Sequence, residues 1–577
     1  MIRTQQNSNY NMSIESIQYT YDAIVVGTGI SGGWAAKELC EKGLKTLVLE
    51  RGRMVNHIID YPTMNLDPWD LPNAGNTPAK IKAKYPKQSR WGFDETTRHF
   101  FNDDSTYDYD EVKRFDWIRG TQVGGRSLIW GKQTYRWSDL DFEANAKDGI
   151  GVDWPIRYKD VQQWYEHVEK HIGVSGEALG LPQLPDSIFL KPMALNCVEE
   201  HLKKGISENY EDRVLTIGRV AHITEGTKPG AGRSNCQYRD RCKRGCPYGA
   251  YFSSNSSTLP MAEATGNMTI RPDSIVCEVL YDKDSKRATG VKVIDANTKE
   301  VIEFKSRIVF LCASSMASTA ILMQSKSDVF PNGMGNGSGE LGHNIMDHQL
   351  GGGANGKIDG YDDKYYKGRR PNGIYVPRFR NLNGNSKNLD FIRGYGYQGG
   401  AGRNDYSTIV PEYAYGKEFK EAMLEPGGWR INLLGFGEVL PYHENQMYLN
   451  YDKLDQYGLP TIVFDAEFKE NEKKMKKDWI EQAQEMLDNA GFKEVRASHR
   501  ESYMGGGIHE MGTARMGRDP KTSVLNKNNQ LHEVPNVYVT DGACMASSGC
   551  QNPSLTYMAL TARAANHAVE ELKKMNL

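Results

Sequence analysis

Two groups of residues in this chain have types and spacing suited to chemistry. Gly27, Gly29 and Gly32 form G-x-G-x-x-G within GTGISGG at residues 27–33. In such a turn the first glycine allows a tight reversal and the second lets the backbone approach a pyrophosphate. The third lets a helix pack closely on a strand. Ile30 and Ser31 fill the turn where unpaired N–H groups at a helix start would meet phosphates. Glu50, followed by Arg51, ends the next apolar run 18 residues after Gly32. A carboxylate there accepts hydrogen bonds from ribose hydroxyls and disfavours a 2′-phosphate, so NADP is not expected. This unit alone leaves NAD and FAD open. The second group is Cys236, Cys242 and Cys246, a C-x5-C-x3-C-P run in NCQYRDRCKRGCPYGA. Three thiols in a Gly/Pro loop have three readings: simple packing, a zinc site, or a three-thiolate iron–sulfur cluster. Zinc usually takes four N/S ligands, and no fourth lies nearby in sequence.

The elements that must position these residues follow from the pattern around them. An apolar strand is predicted at 21–26, a helix at 34–41 and a second strand at 46–49, together one β-α-β unit. Residues 54–115, rich in Pro, Asp, Asn and Tyr, read as long surface loops. A second glycine turn occupies 120–131, a helix 158–172, and strands 274–281, 289–295 and 308–311. The stretch 350–505 has β-like alternation, as at 429–440, and one strong helix at 470–489 closed by Gly491. The reading is α/β. A Rossmann-type nucleotide domain is built from discontinuous segments 21–150, 231–349 and 506–577. A second domain takes 151–230 and 350–505, with a mainly antiparallel sheet implied by the family resemblance of the flanking motifs, and residues 1–20 form a flexible arm.

Composition limits the alternatives. The 577 residues are 39% hydrophobic and 25% charged, which supports a large core and excludes global disorder. Lysine plus arginine number 71 against 73 acidic residues, so no basic excess points to nucleic acid or an anionic membrane. No apolar run reaches the ~18 residues of a transmembrane helix. Residues 1–18 are polar and lack a signal-peptide stretch, so the chain itself is expected to carry no export signal. Nine cysteines, thinly spread apart from the one cluster, fit a reduced fold with one special site rather than a disulfide framework.

Further motifs carry a family resemblance. They are VGGRSLIWG (123–131), the strand around Val276, IVFLCASSMAST (308–319), LGHNIMDH (341–348), HEMGTARMG (509–517), NVYVTDGACM (536–545) and GCQNPSLTYMA (549–559). In this order, after the N-terminal fingerprint, they resemble the glucose–methanol–choline (GMC) oxidoreductases, which use FAD. The resemblance implies that Gly124, Gly125, Ser127, Trp130 and Gly131 run along the flavin, with Ala313 also at the cofactor. Val276 would lie near the adenine, and Asp541 and Gly542 at the pyrophosphate or ribitol. Asn552, Pro553 and Ser554 would approach the isoalloxazine. Ile129 stands where some relatives carry a histidine bonded to the flavin, so non-covalent FAD is expected. His509, 43 residues before Asn552, resembles the family's His–Asn catalytic pair. His509 is then the general base and Asn552 the hydrogen-bond partner of the reacting hydroxyl. The cysteine loop resembles one that carries a three-iron (3Fe–4S) cluster in bacterial FAD glucose dehydrogenases, with Arg239, Arg241, Lys243 and Arg244 offsetting its charge.

Within the family the segments RFDWIRGTQVGGRSLIWG, YPTMNLDPWD, YRWSDLDFEAN and WPIRYKD resemble the glucoside 3-dehydrogenases. That implies oxidation of a pyranose C3 hydroxyl to a 3-keto sugar by a dehydrogenase rather than an oxidase. Oxidation of glucose C1 or of gluconate is the nearest alternative, and a non-redox or non-catalytic FAD-binding subunit is the alternative of another class. The resemblance also implies an external electron acceptor, with a small helper subunit and a c-type cytochrome as partners. A redox protein is expected to dock near residues 236–250. The compartment is expected to be the cytoplasm by default, or the periplasm if a partner subunit escorts the chain.

Overall fold

The computed structural model describes residues 20–366, 373–382, 389–403, 416–422, 424 and 426–577. Residues 1–19 of the expected arm lie outside them, as do parts of 350–505.

Near-continuous apolar runs make a parallel sheet buried on both faces. Its order is Met268–Arg271, Thr46–Leu49, Tyr21–Val26, the C-terminal half of Val301–Leu311, and Val537–Val539. The register brings the strand ends level. Val26 lies opposite Leu49 and Leu311, and Leu311 opposite Val539. Gly27, Glu50, Cys312 and Thr540 therefore all leave the sheet at one carboxyl edge, where open α/β sheets bind ligands. The N-terminal half of Val301–Leu311 instead pairs antiparallel with Arg287–Asp295, which pairs with Ser274–Asp282.

The first helix spans Ile30–Glu41 and so begins at the glycine turn, ahead of the predicted 34–41. Close approach explains the early start, because a Cβ on Gly32 would sit 1.9 Å from the Gly27 carbonyl oxygen. The last helix, Ser554–Lys573, lies beside it, with buried Ala564, Ala565 and Ala568 on the shared core. The helix Tyr158–Ile172 has its predicted limits but packs elsewhere than expected. Grouped with the second domain by sequence proximity, it buries Val161, Tyr165 and Val168 in the nucleotide-domain core. The Tyr165 hydroxyl lies 2.8 Å from Thr556 Oγ1 in the last helix.

The second sheet is antiparallel throughout. Its order is Lys493–Ser498, Gly353–Ile358, Trp429–Gly437, Tyr395–Arg403, Ile374–Val376 and Thr216–Ile217. The helix Glu470–Asn489, at its predicted limits, buries Met475, Trp479 and Ile480 on this sheet. Gly435 and Gly437 make room for the Trp479 ring, since a Cβ on either would lie within 2.6 Å of it. Among the described residues, no helix is long and apolar enough to cross a membrane.

Candidate active site

A cleft of about 340 Å³ opens at the carboxyl edge of the parallel sheet and reaches the face of the second sheet. At its sheet end the three fingerprint glycines have different duties. Gly27 is left-handed (φ 98°), and a Cβ there would sit 2.4 Å from the Cys312 carbonyl oxygen. Gly32 is a packing residue and does not line the cleft. Gly29 lines it, and a Cβ there would meet nothing within 4 Å, so no protein atom explains the absence of a side chain. Gly125, also left-handed (φ 49°), packs beside Gly29, where a Cβ on Gly125 would lie 3.3 Å from the Gly29 Cα. Together they leave bare backbone and a helix start, the surface a pyrophosphate requires.

Glu50 is buried in the next turn. Its Oε2 accepts from the Thr28 amide at 3.1 Å and the Thr28 hydroxyl at 2.5 Å, and its Oε1 accepts from Gly52 N at 3.1 Å. Burial raises its pKa, and the Thr28 and Gly52 hydrogen bonds oppose that rise. Thr28 Oγ1 also accepts from Gly124 N at 2.9 Å, which locks the two glycine turns together. Thr28 was not foreseen, because it is the variable position of the fingerprint. Arg51 turns to the rim, 3.2 Å from Asp455 and over the rings of Tyr107 and Tyr457.

Ile30, Ser31, Ser127, Ile129, Trp130, Gly131, Val276, Ala313, Asp541, Gly542 and Ser554 line the cleft, as expected for a cofactor cradle. Gly124 and Pro553 do not. Gly124 packs on Asn255, and Pro553 caps the last helix. Ser127 is fully buried with its hydroxyl engaged internally, donating to Gly124 O at 2.6 Å and accepting from Ser254 N at 3.0 Å. Asp541 accepts from Ser318 Oγ and Ala543 N, and burial pushes its carboxyl up to about 6. The long cleft, the bare glycine backbone and the ribose-side carboxylate fit FAD.

The cysteine loop does not fit the expected cluster. Among the described residues, no group of three or more His, Cys, Asp or Glu side chains is arranged to hold a metal ion. Cys242 Sγ sits 3.7 Å from His222 Nε2, and Cys236 Sγ accepts from Tyr238 N at 3.4 Å. Burial pushes the Cys242 thiol up to about 12. The positive surface is also less available than the sequence implied. Arg239 donates to Met64 O, Arg241 pairs with Asp67, and Arg244 donates to Leu66 O at 2.8 Å. Three of the four charges thus anchor the loop to residues 64–67.

At the other end of the cleft the structure brings His509 and Asn552 together, with Asn552 Nδ2 3.3 Å from His509 Nε2. Asn552 sits at the start of the last helix. His509 follows Ile508, a β-branched residue in the left-handed region (φ 61°), a conformation seen where a site over-determines its backbone. Asp347 fixes this segment by accepting from Gly507 N, His509 N and His348 N at 2.8–2.9 Å. Gln398, from the second sheet, donates through Nε2 to Asn552 Oδ1 at 2.5 Å. His348 Nδ1 lies 2.7 Å from His509 Nδ1, and its Nε2 donates to Gly549 O. Arg126 holds Glu510 in a two-pronged pair at 3.0 and 2.7 Å. Burial, then His348 and Arg126, hold the His509 imidazolium well below the usual histidine range. Gln398 carries no motif signal in its strand, and His348 lay inside a quoted motif without an assigned role.

Comparison with known proteins agrees with this architecture. Two family models described as GMC oxidoreductase match residues 223–350 and 441–561. The chain is 26% identical to 2-methyl-1,2-propanediol dehydrogenase of Mycolicibacterium austroafricanum, covering 95% of this chain and 94% of that protein. It is 24% identical to the fructose dehydrogenase large subunit of Gluconobacter japonicus, covering 96% and 98%. The crystal structure of pyridoxine 4-oxidase from Mesorbium loti shares the fold, with a TM-score of 0.59 at 15% identity over 95% of this chain and 98% of that one. With the cleft, both family models and relatives matched along almost the whole chain in agreement, this chain is similar to the GMC oxidoreductases and is an FAD-dependent oxidoreductase acting on CH–OH groups.

Proposed function

We propose that this chain is a sugar dehydrogenase that oxidises a pyranose ring hydroxyl, at C3 of glucose or a glucoside, and passes the electrons to an external acceptor. The observation that carries the reading is the His509–Asn552 pair at the cleft end where Gln398 and Phe436 of the second sheet form part of the wall. When bound, FAD supplies the hydride acceptor for such an oxidation. Gly27, Gly29, Gly125, Glu50 and Asp541 would hold it. His509 Nε2 takes the hydroxyl proton, and Asn552 Nδ2 donates to the same oxygen and fixes its lone pairs. Asn cannot titrate, so it orients while His509 accepts. Amide and aromatic groups on the facing wall suit a polyol with apolar ring faces.

Relatives named fructose dehydrogenase large subunit and gluconate 2-dehydrogenase flavoprotein support a sugar-like substrate. The first of those names, that of a large subunit, supports assembly with a further subunit, for which a small helper and a c-type cytochrome are proposed. The gluconate relative keeps gluconate oxidation as a second reading. A dye-reduction assay over glucosides, glucose and gluconate decides between them, with product NMR to locate the new carbonyl. Turnover of gluconate alone would discard the pyranose reading, and no turnover of any would favour a non-catalytic FAD subunit. A dehydrogenase is expected to pass two electrons from reduced flavin quickly to a dye and slowly to O2.

Two smaller predictions follow. Ile129 lines the cleft with an aliphatic side chain, which cannot bond to flavin. Acid precipitation is therefore expected to leave all yellow colour in the supernatant, and colour in the pellet would contradict it. The second concerns pH. His509 is active as the neutral base, so protonation switches it off. A depressed imidazolium pKa moves that loss to lower pH. The acid limb of the flavin-reduction rate is thus expected below pH 6.5, the ordinary histidine value. Stopped-flow reduction between pH 5 and 8 reads it directly, and a limb above 7 would refute the assignment.

A further inference from the structure

The hydrogen bonds around His509 form a single line that runs in one direction, and we infer that His348, held by the Gly549 carbonyl, sets the tautomer of His509 and so leaves its Nε2 free to act as base. The inference deepens the proposed mechanism and rests on His509 being that base.

Gly549 O can only accept, so His348 Nε2 must carry a proton. A neutral imidazole carries one N–H, so His348 Nδ1 is then a bare lone pair. His348 is fully buried, and burial drives its pKa down to about 4, which keeps the ring neutral. His509 Nδ1, 2.7 Å away, must therefore be the donor, and His509 Nε2 is left unprotonated. At the other end Gln398 Nε2 donates to Asn552 Oδ1. The Asn552 NH2 faces His509 Nε2 at 3.3 Å, a contact that requires a lone pair on that nitrogen. The main-chain carbonyl sets this protonation state, and the amide pair at the other end is arranged to match it.

The consequences are chemical. Free imidazole offers two tautomers, and only the Nδ1–H form presents a base to the cleft. After Nε2 takes the substrate proton, His509 becomes a cation whose Nδ1–H already points at the His348 lone pair. That hydrogen bond becomes charge-assisted and steadies the imidazolium in a buried site. His348 touches no substrate and acts only through His509, so it is a positioning residue.

The test has two readouts. In the FAD-loaded enzyme labelled with ¹⁵N-histidine, one ring is expected to be protonated at Nδ1 alone and to vanish in His509→Gln. A second ring is expected to be protonated at Nε2 alone and to vanish in His348→Gln. Finding His509 protonated at Nε2, or the two rings charged, would overturn the inference without any assay of activity. In stopped-flow reduction, His348→Leu is expected to slow the step by about 10²-fold, within the range for a mispositioned base. His348→Gln can still accept from His509 Nδ1 and donate to Gly549 O, so it should recover most of that loss. Equal rates for wild type and His348→Leu would refute the positioning role. If His509→Ala reduced flavin normally while the wild-type tautomers were as described, the base assignment would fail and the tautomer inference would stand.

Discussion

Replacing His509 by alanine is expected to slow substrate-driven flavin reduction by about 10²–10⁴-fold, the span of a positioned general base, while the protein keeps its FAD. The separation follows from geometry. The residues that would hold the dinucleotide, from Gly27 to Glu50, lie at the carboxyl edge of the parallel sheet. His509 hangs from the Gly505–Ile508 turn at the other end of the cleft. Alanine leaves the backbone bond from His509 N to Asp347 intact, so the segment keeps its anchor. It removes the nitrogen lone pair that faces Asn552 Nδ2. The variant should purify yellow, with an unchanged flavin-to-protein ratio, and fail in single-turnover reduction. Near-normal reduction would remove His509 from the mechanism, and a colourless protein would mean that the residue supports the cofactor instead. Asn552→Ala should have a smaller effect, because it removes orientation but leaves the base.

How much of this was legible in the sequence differs from one part of the site to another. The β-α-β unit could be read because each residue there has a local reason: apolar runs for strands buried on both faces, and glycines where a Cβ would strike Cys312 or Gly27. The helix Glu470–Asn489 could be read to its ends because its apolar stripe and the closing Gly491 are local signals. The His509–Asn552 pair was reached through motif order, and the structure adds the contact between them. Contacts made across the chain were out of reach. Gln398 meets Asn552 over 154 positions, and His348 meets His509 over 161, and neither has a neighbour in sequence that announces it. Tyr158–Ile172 was misplaced for the same reason, since its periodicity specifies a helix with one buried face but not the surface that buries it. The cysteine spacing suggested a ligand set, yet arginines anchor the loop to residues 64–67, and no group of three or more ligating side chains converges among the described residues.

Gly29→Val and Gly32→Val should both lose FAD, for reasons that experiment can separate. Gly29 has ordinary backbone angles (φ −67°, ψ −158°), and a Cβ there meets nothing within 4 Å. Valine at this position therefore leaves the apoprotein fold undisturbed. Its methyl groups, however, would occupy the space in front of the helix start, where backbone N–H groups would meet a pyrophosphate. Displacing two charge-assisted hydrogen bonds of about 1.5–3 kcal/mol each weakens FAD binding by about 10²–10⁴-fold. At Gly32 the added Cβ would lie 1.9 Å from the Gly27 carbonyl oxygen and 2.6 Å from its carbon, both main-chain atoms that cannot swing aside. The helix must lift from the sheet, so overpacking costs about 1–3 kcal/mol of apoprotein stability in addition to the damaged cradle. Thermal unfolding of flavin-free protein distinguishes the two: Gly29→Val should melt with the wild-type apoprotein, and Gly32→Val several degrees below it. Titration with FAD should then find both weak. If Gly29→Val bound FAD as tightly as wild type, the cleft beside Gly29 would not be the pyrophosphate site, and the cofactor would have to lie along the cleft in another orientation.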